Sequence, residues 1–213
     1  MKKFAFISAA AMLAACACSA FAQDEAQAVS SAPESVSTNT VSKLNLTPGS
    51  AKLMVWQGLI ADGSPIELID SNKTFSVESV NKKSELGKAL ANRDRYYRWE
   101  GYVEVKADGV IKFNMTRATR SSIYNLPGAS LLIDDKPVIS MKSEPSRVKK
   151  GQASPVTVQS VPVSLAEGYH KITVDFAIEY QSGYSQSIDV TYALPDSDSA
   201  LKITPNNMLR EVK

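Results

Sequence analysis

The chain has 213 residues, 44% of them hydrophobic and 22% charged, and its formal charge of +2 comes from 24 basic and 22 acidic side chains. Lys2 and Lys3 lie in a leader that holds no acid, so the remainder balances at 22 against 22, and such a chain offers no long-range attraction to nucleic acid or anionic lipid. One histidine and two cysteines exclude a histidine-rich or thiolate metal centre and leave almost no bases for a serine or cysteine hydrolase.

The leader is Lys2-Lys3, an uncharged apolar run from Phe4 to Ala17, then Ser19-Ala20-Phe21-Ala22 before Gln23. Small residues at the last and third-last positions mark residues 1–22 as a signal peptide cleaved after Ala22, and the run is short for a bilayer span. Cys16 and Cys18 both lie inside it, so this cleavage leaves no thiol and no disulfide. Leu13-Ala14-Ala15-Cys16 also fits a lipobox, in which an acylated Cys16 becomes the first mature residue and each buried methylene contributes about 0.8 kcal/mol to membrane holding. The first reading places an exported protein in the periplasm, on the cell surface or in the medium. The alternative is an outer-membrane lipoprotein whose membrane contact runs through Cys16.

Residues 23–50 are rich in Ser, Thr, Ala and Pro, with no aromatic residue and few large aliphatics. Such a stretch buries too little apolar area to offset its ordering entropy, and reads as a disordered tether. A domain over residues 51–213 follows. Leu53 and Val55 against Met54 and Trp56 suggest a strand apolar on both sides, 61–65 a turn, 66–69 a short strand, and Phe75 with Val77 another. Leu86 and Leu90 stand at helical spacing, so residues 83–92 are the one place for a short helix.

The centre of the pattern is RYYRWEGYVEVKADGVIKFNMT, residues 95–116. Tyr97, Trp99, Gly101, Val103 and Val105 share one parity, and Tyr96, Arg98, Glu100, Tyr102 and Glu104 the other, as in a half-buried strand. After Lys106-Ala107-Asp108-Gly109, Ile111, Phe113 and Met115 alternate with Lys112, Asn114 and Thr116, so the segment predicts a hairpin closed at Asp-Gly. A loop is expected over 117–128, a strand over 129–134 with a hairpin return at Val138 and Ile139, and a charged solvated loop over 140–155. Residues 156–165 read as an edge strand, because Pro162 has no N–H to give an interior ladder. His170, Ile172, Val174, Phe176 and Ile178 then oppose Tyr169, Lys171, Thr173 and Asp175, and Ile188, Val190 and Tyr192 close the pattern. The fold class is all-β, an antiparallel sandwich or barrel with at most one short helix.

The succession of Arg98, Trp99, Gly101 and Tyr102, then Gly109 and Phe113, then Leu131, Ile133, Asp134 and Val138, then Leu165, Gly168, His170, Ile172 and Val174 resembles the protective-antigen N-terminal-like domain family, over about residues 53–213. The resemblance implies a β-sandwich or barrel that often binds carbohydrate. In the family's fungal adhesins an adjacent aspartate pair before the Leu-x-Ile-Asp strand holds calcium, which in turn holds sugar hydroxyls. The matching stretch here, Arg117 to Ser130, has arginines and no acid, so the carboxylates that calcium favours are missing and no cofactor is expected. Asp134-Asp135 reads as a turn pair bonding its own backbone rather than as ligands, and His170 as a packed residue.

Two carboxylates facing across a cleft, as a glycosidase needs, are not suggested by acids that alternate along wet faces. The chain therefore reads as a non-catalytic binding domain. Its partner is a glycan, or alternatively an envelope protein bound by a structural or assembly factor of the cell surface. For a glycan, Tyr124 and Tyr184 are the candidate stacking rings, and Arg117, Arg120 and Asn125 the candidate hydrogen-bonding groups.

Overall fold

Alternation along the chain is realised as two antiparallel sheets packed face to face. The computed structural model describes residues 44–76, 93–119, 125–126, 128–145, 155–178, 186–193 and 199–212. Its strands are β1 (Leu46–Pro48), β2 (Ala51–Gln57), β3 (Ile66–Asp70), β4 (Phe75–Ser76), β5 (Arg95–Val105), β6 (Gly109–Thr119), β7 (Asn125–Leu126), β8 (Gly128–Ile133), β9 (Lys136–Met141), β10 (Glu144–Pro145), β11 (Val156–Gln159), β12 (Val163–Leu165), β13 (Gly168–Ile178), β14 (Gln186–Ala193), β15 (Leu201–Ile203) and β16 (Leu209–Glu211). A 3-10 turn covers Pro205–Asn207. The helix expected over 83–92 and the leader lie outside the described residues.

The larger sheet has eight strands, in the order β1-β16-β5-β13-β8-β9, with β2 also on β5 and β3 on β2. One edge of β5 is thus shared, by β2 against its first half and by β16 at Tyr102, while β13 covers its other edge from end to end. The smaller sheet has β6 and β14 at its centre, flanked by β11 and β12 on β6 and by β15 and β4 on β14. The two sheets are open, which settles the sandwich against the barrel. A two-stranded pair, β7 with β10, stands apart.

The expected hairpin at Asp108-Gly109 is not formed. β5 lies in the larger sheet and β6 in the smaller, so Lys106-Ala107-Asp108 carries the chain across the sandwich. A type I′ hairpin requires positive φ at both central residues, and neither Asp108 nor Gly109 takes it. Asp108 instead accepts the Glu167 N–H at Oδ1, 2.7 Å away, and so fixes the turn that leads into β13. Face-to-face stacking lets the apolar rows of β5 and β6 bury one another, which side-by-side pairing would not do.

Between the sheets lies one continuous core. Trp99 and Tyr97 are fully buried and stacked at 5.7 Å, and Phe75 meets Trp99 edge-on at 5.5 Å. The indole N–H of Trp99 donates to Asp70 Oδ2 at 2.7 Å, so its polar atom is satisfied inside the apolar layer. Gly101 shares the inward row, and a Cβ there would sit 2.8 Å from Met208 Cε. The missing side chain is what lets the buried Met208 close over β5, just before β16 pairs with it.

Two further departures from the sequence pattern follow from main-chain pairing. β1 lies inside the stretch 23–50 expected to be a tether, and is ordered by its ladder to β16. The edge strand expected over 156–165 is broken into β11 and β12, both on β6. Ser160 bridges the break, since Phe113 N–H donates to its hydroxyl and its own N–H donates to the Phe113 carbonyl. The strand over 51–57 is buried on both sides as expected, with Leu53 and Val55 in the core and Met54 and Trp56 covered on the other face.

Candidate functional site

The outward row of β5 meets the outward rows of its neighbours in register. Arg98 lies opposite Asp175 on β13 and Met54 on β2, Tyr96 opposite Trp56, and Asp175 opposite Ser130 on β8. The Arg98 guanidinium forks onto Asp175, Nε to Oδ1 at 2.7 Å and Nη2 to Oδ2 at 3.0 Å. The same guanidinium lies 5.8 Å from the Tyr96 ring centroid and 6.0 Å from that of Trp56, and the two rings meet edge-on at 5.8 Å. Trp56 is itself held by its indole N–H on the Gly63 carbonyl. A bidentate pair whose arginine is braced by two aromatic rings is rigid before any ligand arrives.

This environment shifts the titrating groups. The Asp175 carboxylate holds the Arg98 guanidinium charged more firmly than usual, against the opposing effect of burial. Burial, then the Asp175 charge, push the Tyr96 phenol up to about 12. Further along β5, Lys171 reaches Asp135 at 2.8 Å and Glu100 at 3.7 Å; burial works against its charge, and these carboxylates outweigh it, raising the ammonium pKa. Between the two ion-paired groups stands Thr173, opposite Glu100 and Leu132. Thr173 is 2% exposed and its hydroxyl has no hydrogen-bond partner.

His170 is enclosed at the start of β13, on the inward row. Its Nδ1 donates to Asp134 Oδ2 at 2.7 Å and its Nε2 to the Ala166 carbonyl at 2.8 Å. Both partners are acceptors, so two such contacts require a doubly protonated ring. The Asp134 carboxylate raises the imidazole pKa, burial opposes it, and the Ala166 carbonyl adds to the rise. Asp134 does not bond its own backbone. Its Oδ1 accepts the Lys171 N–H, and its N–H donates to the Lys171 carbonyl, so the turn residue extends the β8–β13 ladder by one step.

Of the residues singled out in the sequence, Arg117 is 2% exposed near the end of β6 and donates from Nη1 to the Lys142 carbonyl. Asn125 lies in β7 opposite Pro145. Both therefore border the segment 142–145. Arg120, Tyr124, Tyr184 and Cys16 lie outside the described residues. Among the described residues no group of three His, Cys, Asp or Glu is placed to hold a metal ion, and no helix is long and apolar enough to cross a membrane. The sequence pattern put Arg98, Glu100, Thr173 and Asp175 on wet rows; that β5 and β13 are neighbours, which unites those rows, was not visible in it.

No family model matches the chain, and no curated protein matches it. Among solved structures, the PA14 domain of the MpAFP antifreeze protein superposes with a TM-score of 0.52 at 13% identity, over 82% of this chain and 96% of that one. A PA14 sugar-binding domain from an RTX adhesin gives 0.49 at 12% identity, over 77% and 99%. The A domain of epithelial adhesin 9 from Candida glabrata, in complex with Galb1-3GlcNAc, gives 0.44 at 8%, over 84% and 95%. The first of these identifies the fold as PA14-like.

Proposed function

We propose that the chain is an exported, non-catalytic binding domain whose ligand is a glycan, held without calcium. The observation that carries this reading is how the buried ionisable groups are used. His170, the one histidine in the sequence, has both ring nitrogens engaged. Asp70 is engaged by Trp99 and Asn72, Asp175 by Arg98, and Asp134 by His170 and the backbone of β13. A general base must be open to a substrate proton, and among the described residues His170, Asp70 and Asp175 are buried and already held by these partners. Support for a glycan comes from the PA14-like sandwich together with the motif succession that resembles a family often binding carbohydrate.

The contact residues in this reading are Arg120, Tyr124, Asn125 and Tyr184, and Arg117 is held on the Lys142 carbonyl. Arginine forks suit carboxylates, so the ligand of this set is an acidic or envelope-derived sugar. A glycan array probed with and without a chelator tests the proposal. Binding that survives chelation and weakens in salt is expected; chelator-sensitive binding contradicts the calcium-free reading. A blank array at high protein concentration transfers the function to an envelope protein partner.

A further inference from the structure

We infer that the outward face of the larger sheet, along β5 and β13, is a second binding strip, and that it takes an uncharged polyhydroxylated chain. The inference rests on the reading of the domain as a glycan binder and places the contact on residues other than the sequence-predicted set. Tyr96 and Tyr102 stand six residues apart on one row of β5, about 20 Å at the usual rise per residue, with Arg98 and Glu100 between them. Both tyrosines are half-buried, so their rings are held while part of each faces solvent.

The charges of the strip are already paired. Arg98 is neutralised by Asp175, and Lys171 by Asp135 and Glu100. A charged ligand would have to displace one of these partners, whereas a hydroxyl can donate to a carboxylate's spare lone pair and accept from an unused N–H of the same pair. Thr173 adds the specific sign: a buried hydroxyl without a partner, on the outward row between the two paired groups. A buried polar atom left unpaired is costly, and a ligand hydroxyl that parts the side chains covering it would satisfy it. Rings at the ends, fixed donors and acceptors between them, and charges that each already have an opposite partner describe a surface for a neutral sugar chain lying along the strands.

Affinity electrophoresis of the full chain in gels containing neutral glucan, mannan or xylan, run with chelator, tests the strip. At least one polysaccharide should retard the parent protein. Thr173→Val, which keeps shape and removes the hydroxyl, and Tyr102→Ala should each weaken retardation by about tenfold, while Val110→Ala, exposed on β6 of the smaller sheet, leaves it unchanged. Retardation should survive 1 M salt within about twofold, since no ion pair to the ligand is made. If Tyr124→Ala abolishes retardation and the strip variants do not, the strip is overturned and the glycan reading stands. If no neutral polysaccharide retards the parent, the strip is overturned as well, and the array alone then decides whether the domain binds sugars.

Discussion

Two connections in this molecule carry acidic turn signals, and they do opposite things. At Asp134-Asp135 both residues take positive φ, 49° and 63°, and β8 returns at once as β9 in the same sheet. At Asp108-Gly109, the stronger hairpin motif by composition, neither residue does, and the chain crosses to the other sheet. The difference is in what waits beside the turn. Asp134 finds Lys171 and His170 on β13, which hold a left-handed turn that costs a non-glycine residue about 1 to 2 kcal/mol. Asp108 finds the Glu167 N–H, and two long apolar rows that gain more by stacking than by pairing. A turn motif thus states where the chain reverses, and sheet membership is decided by the faces on either side.

The largest test of the comparison is on the crossing. If β5 and β6 bury one another, Trp99→Ala removes the ring at the centre of the inter-sheet core and should cost about 3 to 5 kcal/mol in chemical denaturation. An unchanged midpoint would contradict the stacking. On the hairpin side, Asp134→Ala strips His170 and the Lys171 N–H of their acceptor and leaves alanine at positive φ, for a loss of about 3 kcal/mol.

The same variant has a pH signature. Because the folded imidazole pKa is raised, the His170 contribution is fully present below its ordinary value of about 6.5 and fades as pH rises through the folded pKa. Thermal melts of the parent should therefore fall with increasing pH on the alkaline side of about 6.5, and those of Asp134→Ala should be flatter there. A parent whose stability is constant over that range would remove the protonated ring from the account. The smaller effects return to the crossing: Asp108→Ala should cost about 1 kcal/mol through the lost bond to Glu167. Gly109→Ala should change stability by no more than about 0.5 kcal/mol, as at a position without a special backbone demand; a loss of several kcal/mol would mean that Gly109 serves a true hairpin.

Most of the architecture was legible because it is written in period two. The inward rows of β5, β6, β13 and β14 are the residues that the alternation assigns to the core, and the double-sided burial of Met54 and Trp56 is visible in the unbroken apolar run. Partners that make no pattern were not legible. β1 owes its order to main-chain bonds with β16, and nothing in Leu46-Thr47-Pro48 announces them. β15, β16 and the 3-10 turn are equally silent, although Met208 is the lid over Gly101. The outward face shows the same limit. Arg98 and Asp175 each read as a wet residue, separated by 77 positions, and only strand order makes them a fork. Arg117 illustrates the converse, since its composition-based reading as a sugar contact gave no sign that it is buried against the Lys142 carbonyl.

The pairing of β1 with β16 also has a mechanical consequence. Leu46 lies opposite Glu211, and Val212 N–H bonds the Asn45 carbonyl, so the described domain is entered and left at one corner. Tension applied across those two points would open the short ladder one bond at a time, as a zipper opens, instead of shearing all its bonds together. The long register of β5 with β13 stands outside that line of load. Tension taken up through one end and the outward face of β13 would instead run through those eleven paired positions, so the direction of pull decides whether a three-pair ladder or the longest ladder of the larger sheet resists it.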